Sequence, residues 1–245
     1  QTLNIVGALD LDTGNMTGLT TLDVTTTSNI ASNITSSGVQ AYDGAVTLTG
    51  ASIMTTTDGN VTFGSTIASD SSDRALTVVT DNSNDIVKFT GTVGAGADSE
   101  LGAIAITGIL DANNTIEAAS LTVSGASTLG GNVSTTGGVG QVYSGIATND
   151  GGNAMTLTAS AGDVNFATGF RGGSQVLNIV GALDLDTGNI TGITTMDVTT
   201  TSNIASNITS TGVQAYDGAV TLTGASTMTT TDGNVTFGST IASDS

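Results

Sequence analysis

The chain has 245 residues, 21 carboxylates against three cations, and no His, Cys, Pro or Trp, for a net charge of −18. That charge excludes a nucleic-acid partner, which needs Lys and Arg to neutralise phosphates, and disfavours an anionic membrane surface. Without His or Cys there is no Ser-His-Asp or Cys-His nucleophile system, no usual zinc site and no disulfide.

Strands announce themselves from the first residues. Leu3/Ile5, Leu22/Val24, Val46/Leu48 and Val61/Phe63 alternate with polar residues, and so do Leu76/Val78, Val87/Phe89, Ile104/Ile106, Leu121/Val123, Met155/Leu157 and Val164/Phe166. A period of two means a strand with one buried face. Between the pairs stand "DTGN" (Asp12–Asn15), "TDGN" (Thr57–Asn60), "DNSND" (Asp81–Asp85) and "NDGGN" (Asn149–Asn153). These are turn residues, able to take positive φ or to close Asx turns. Composition agrees: 47 Thr and 34 Gly suit strands and turns, while aromatics make only 3%. No stretch reads as a long amphipathic helix, and no run of about 18 apolar residues marks a membrane span.

Repetition is the strongest signal. "LNIVGALDLDTGN" stands at Leu3–Asn15 and again at Leu177–Asn189, and residues 1–71 align with 175–245 without a gap, at a period of 174. Only Thr2/Val176, Met16/Ile190, Leu19/Ile193, Leu22/Met196, Ser37/Thr211 and Ile53/Thr227 differ. The three aliphatic exchanges point inward, to a core that requires apolar volume and tolerates changed shape. Ile53/Thr227 does not preserve polarity and belongs at a solvent-facing or edge position. A weaker repeat relates Leu22 to Leu121, Tyr42 to Tyr143, Phe63 to Phe166 and Leu76 to Leu177, at offsets of 99, 101, 103 and 101. Residues 1–245 therefore read as one continuous segment of a longer repetitive chain.

Two all-β architectures fit short strands at this spacing. A string of Ig-like sandwiches would need aromatic-rich cores and steady offsets between domains. A parallel β-solenoid has a narrow core of stacked Val, Ile, Leu and Ala, and loops that grow and shrink between coils produce drifting offsets. The solenoid is the better match. At roughly 20 residues per coil and about 4.8 Å per coil, the chain gives about 12 coils and a rod on the order of 60 Å long.

The stretch "ITSSGVQAYDGAVTLTGASIMTTTDGNVTFGSTI" (Ile34–Ile67) resembles the repeats of very large bacterial surface proteins of the filamentous haemagglutinin type. The resemblance covers nearly the whole chain. It implies a right-handed parallel β-helix, export to the cell surface, and a role as fibre, adhesin or biofilm matrix, and it carries over no catalytic residue.

Asp10 and Asp12 share one strand face in "LDLD", roughly 7 Å apart, a spacing that acid/base carboxylates could use. Leu9 and Leu11 inward with both Asp in water explains the pattern without chemistry. The pair also recurs as Asp184 and Asp186, and a unique active site is rarely duplicated, so a non-enzymatic protein is expected. Calcium suits these oxygens better, and Asp10, Asp12, Asp184 and Asp186 are the candidate ligands. The calcium-roll pattern itself is missing, because "GGVGQVY" (Gly137–Tyr143) has Gln where Asp is needed. Thr-rich runs at Thr25–Thr27 and Thr55–Thr57 raise an ice-binding face, which drifting coil lengths argue against. Asn-x-Ser/Thr sequons stand at Asn15, Asn33, Asn60, Asn113, Asn132, Asn189, Asn207 and Asn234. The expected partners are the protein itself, end-to-end or laterally, with divalent cations or surface glycans as further candidates.

Overall fold

The computed structural model describes residues 1–244 apart from Asn82, Ser83 and Ala97. Among the described residues there are thirty strands and no helix, and every described pairing is parallel. The fold is a parallel β-solenoid. Its residues fall into two compact units, Gln1–Gly125 and Ala126–Ser245.

In the first unit each coil contributes a strand to three successive faces. Thr2–Ile5, Thr21–Val24, Gln40–Tyr42, Val61–Phe63, Ile86–Phe89 and Ile109–Ala112 stack on the first face. The second is Leu9–Leu11, Ser28–Ile30, Val46–Leu48 and Ile67–Ser69, continued by the single bridges Ile67–Val93 and Val93–Ile116. The third runs Met16–Leu19, Ile34–Ser36, Ser52–Thr56, Leu76–Thr80, Leu101–Thr107 and Ile116–Val123. Backbone groups that a lone three-residue strand would leave unpaired are satisfied by the coils above and below, as in Leu22 N–H to Val39 O at 3.0 Å. This explains why such short strands persist.

The expected alternation holds. From Leu22/Val24 to Val164/Phe166, both members of each apolar pair are buried; only Leu3/Ile5, in the first coil, are half-covered. Of the three aliphatic exchanges, Leu22, Met196, Ile190 and Ile193 are buried, whereas Met16 and Leu19 are only half-covered; Ile53, opposite Thr227 in the other copy, is 42% exposed as expected. The few rings are used economically. Tyr42 stacks on Phe63 of the next coil at 5.2 Å and Phe63 meets Phe89 at 5.5 Å, so one column of rings fills one interior edge.

Separations between register partners on the first face are 19 (Leu3–Leu22), 18 (Leu22–Gln40), 21 (Gln40–Val61), 26 (Val61–Val87) and 23 (Val87–Leu110). The drift comes from corners, not from slipped strands. The widest coil has an excursion at residues 70–75, which Arg74 closes with two hydrogen bonds to Asp70 at 2.8 and 2.9 Å. The guanidinium bond holds the Asp70 carboxyl below its ordinary value. Lys88 pairs with Asp111, its register partner on the adjacent coil.

The second unit stacks in the same way. Met155, Leu177, Met196, Gln214 and Val235 form one column; Val164, Leu183, Ser202, Val220 and Ile241 form another. Here the strands Met155–Phe166, Phe170–Leu185 and Ile190–Val198 run round corners without interruption, and register shifts mark the bends.

Three core hydroxyls break the pattern. Ser28, Ser127 and Ser202 are buried, and among the described residues their Oγ atoms have no hydrogen-bond partner. Ser202 stands in register between Leu183 and Val220. A buried hydroxyl without a partner costs on the order of 1–3 kcal/mol. Ser202→Ala is therefore expected to stabilise the chain by about 1 kcal/mol, read as a rise in the urea midpoint at unchanged m; a fall would show that the hydroxyl has a partner after all.

Candidate functional site

The candidate site starts from "LDLD". Alternation on a strand sends Leu183 and Leu185 into the core, both buried, and puts Asp184 and Asp186 outside. In the first copy Leu9 is buried, Leu11 is half-covered, and Asp10 and Asp12 are exposed. The pleat thus accounts for the pattern in both copies.

The surroundings of the two copies differ. Asp10 has Asn29 as its register partner. Asp184 lies between Asn165 and Asn203 in the same outward column. Asn165 Nδ2 donates to Asp184 Oδ2 at 2.8 Å and to Asp186 Oδ2 at 3.4 Å. Partial burial pushes the Asp184 carboxyl above its ordinary value; the Asn165 hydrogen bond opposes this, and the charges of Asp186 and Asp163 add to it. The fold therefore disfavours the ionised form. Between the ordinary and the raised value the folded chain binds more protons than the unfolded chain, so stability falls as pH rises through that window and stays lowered above it. Asp184→Asn keeps an acceptor for Asn165 and is expected to raise the melting temperature at pH 7. The gain should vanish below the ordinary carboxyl value, about 3.9. An equal gain at all pH would assign the effect to packing instead.

Around Asp184 and Asp186 the structure places Asn165 as a hydrogen-bond donor. Calcium takes six to eight oxygens, whereas Asn165 here directs its N–H group, a donor, at the carboxylates. Among the described residues no group of three or more acidic side chains is arranged to hold a metal ion. Among the described residues Asp10 and Asp12 are brought no third carboxylate.

The threonine runs do not form flat paired arrays. Thr55 faces outward, Thr56 is buried and donates to Gly59 O at 2.6 Å, and Thr57 is at the corner. Register across faces is kept even so, and Thr35, Thr55, Val79 and Thr107 form one outward column. Drifting coil length is thus no argument against register, because the corners absorb it. What limits the column is its composition, with Val79 where a threonine would stand.

The sequon asparagines have a structural duty. The Oδ1 atoms of Asn15, Asn33, Asn60, Asn132, Asn189 and Asn207 each accept a backbone N–H from the next coil, at 2.8–3.2 Å. A carboxamide at the corner there replaces the ladder carbonyl that a turning backbone cannot supply. Of the turn "DNSND", Asn82 and Ser83 lie outside the described residues.

Sequence reasoning missed the glutamines. Gln40, Gln141 and Gln214 are fully buried. Gln40 Nε2 donates to Thr55 O at 2.9 Å and Ser36 Oγ at 3.2 Å, and its Oε1 accepts from Tyr42 Oη at 3.0 Å. Gln214 repeats this with Thr229, Ser210 and Tyr216, and Gln141 with Thr158, Val133 and Tyr143. Burial pushes all three phenols up from their ordinary value, which keeps them protonated donors. The signal was present in the sequence: every Tyr stands two residues after a Gln.

No described helix is long and apolar enough to cross a membrane. No protein-family model matches the chain, and no curated protein or solved structure matches it significantly.

Proposed function

We propose that the chain is a load-bearing segment of an extracellular filament or cell-surface fibre and that it catalyses no reaction. One observation carries the reading: a near-identical 71-residue block occurs twice in a fold whose coils stack through parallel backbone ladders. Such a fold extends by adding coils, without redesign of a core. The surface fits the same role. Of 21 carboxylates, Asp70 and Asp111 are in described ion pairs, so the exterior repels its own kind and stays soluble. The resemblance to filamentous haemagglutinin-type repeats supports export to the cell surface.

The test is to express chains with one, two and three copies of the 174-residue period and measure particle length by electron microscopy. Each added period should lengthen the particle by a constant increment, on the order of 40 Å at about 4.8 Å per coil. Compact particles that grow in all dimensions would sink the reading.

A calcium-assembled module is the second reading, on the outward carboxylates of Asp10 and Asp12 and their copies Asp184 and Asp186, whose hard oxygens suit calcium. Millimolar calcium against sodium chloride of equal ionic strength separates the two. The plain fibre shows the same melting temperature in both salts, whereas metal assembly shows a rise confined to calcium.

A further inference from the structure

We propose that Arg171, with Asn189 and the threonines around it, forms a seat for one carboxylate-bearing sugar residue. This goes beyond the structural role and does not depend on it.

The chain has three cations. Arg74 and Lys88 are each consumed by an aspartate, whereas Arg171 is exposed and has no ion pair among the described residues. In a chain of charge −18, an uncommitted guanidinium is the exception. Its register partners are Thr148 on one neighbouring coil and Thr191 on the other. Arg171 and Thr191, with Ile146, Thr168 and Asn189, line a depression of about 280 Å³. That is just under the usual size of ligand pockets, about 300–1,000 Å³, and leaves room for a single ring.

Close coil approach builds the depression. A Cβ on Gly188 would lie 1.8 Å from Thr168 O, and one on Gly169 would lie 2.4 Å from Asn189 O. Just after Arg171, Gly173 and Ser174 take φ of 59° and 64°. Left-handed backbone at a non-glycine residue clusters at ligand sites. Residues 168–174 also lie outside the duplicated blocks, so the seat occurs once.

The chemistry presented is specific. A guanidinium binds a carboxylate in bidentate fashion. Asn189 Oδ1 is already occupied by Asn207 N–H, which leaves its amide hydrogens as donors. Thr168 Oγ1 donates to Ser144 O, which leaves its lone pairs as acceptors for sugar hydroxyls. Ile146 offers an aliphatic surface to ring C–H groups. A bare anion would use the cation and leave the hydroxyls idle.

The test is a titration of isotope-labelled chain with glucuronate, N-acetylneuraminate, glucose and sodium sulfate, followed by amide shifts. One of the acidic sugars should shift Thr148, Thr168, Arg171, Asn189 and Thr191, with Kd in roughly the millimolar range. Glucose and sulfate should bind at least about tenfold more weakly. Arg171→Gln should lose about tenfold or more with an unchanged melting temperature, and Arg171→Lys should retain part of the affinity because it keeps the charge but not the fork. Three results would overturn the proposal: no shift with either acidic sugar, equal binding by Arg171→Gln, or sulfate matching the sugars, which would mean a plain anion seat. None of these bears on the length measurement that tests the filament reading.

Discussion

Gln40→Ala is expected to destabilise the chain by about 3–5 kcal/mol, the largest effect of any substitution of a polar residue. Two losses combine. Truncation opens a cavity where Gln40 is fully buried. It also strands Tyr42 Oη, whose bond to Gln40 is at 3.0 Å and whose loss costs on the order of 1–3 kcal/mol in the interior, and removes the 2.9 Å bond to Thr55 O. Gln40→Leu separates the terms, because it restores most of the volume and none of the bonds. Tyr42→Phe should cost about 1–2 kcal/mol, and the Gln40/Tyr42 double-mutant cycle should show coupling. The same set at Gln214 and Tyr216 serves as an internal replicate. Denaturant unfolding measures all of these. If Gln40→Leu is neutral, the clamp contributes volume only.

Gly44→Ala and Gly218→Ala should each cost about 3 kcal/mol or more, although both residues lie at the surface corner of a coil. The positions are copies of each other, and the constraint recurs. An added Cβ on Gly44 would lie 2.4 Å from Thr26 C and O; on Gly218, 2.2 Å from Thr200 O. Contacts that short with backbone cannot be relieved by rotating a side chain, so two stacked coils must separate and lengthen their ladder bonds. Gly138 is the control: an added Cβ meets nothing within 4 Å, and Gly138→Ala should stay within about 0.5 kcal/mol of wild type. Equal effects at all three glycines would mean that coil contact is not what selects Gly44 and Gly218.

Apolar-x-apolar spacing and the Leu3–Asn15 echo made the coil and its stacking legible, because a pleat transmits period two faithfully. The turn signals located the corners, and coil-length drift was visible as uneven offsets. The corner duties were not legible. Asn33 reads as a glycosylation motif and acts as a ladder acceptor for Ile53 N–H. Gln141 reads as a failed calcium ligand and is a core clamp. In both cases the role is set by which coil comes to lie above, a contact 17 to 20 residues distant that local pattern does not encode. The carboxylate pair was half legible. Its outward direction followed from Leu183 and Leu185, whereas its pairing with Asn165 depended on how far residues 166–183 travel before the chain returns.

The account stands on successive coils pairing in parallel and in register, and inter-strand nuclear Overhauser contacts test that directly. Asn29 should show backbone contacts to both Asp10 and Thr47, and Leu22 to both Leu3 and Gln40, in the slanted pattern of parallel strands. Contacts from Asn29 in the antiparallel pattern, to a strand reached through a hairpin, would describe a sandwich and contradict it.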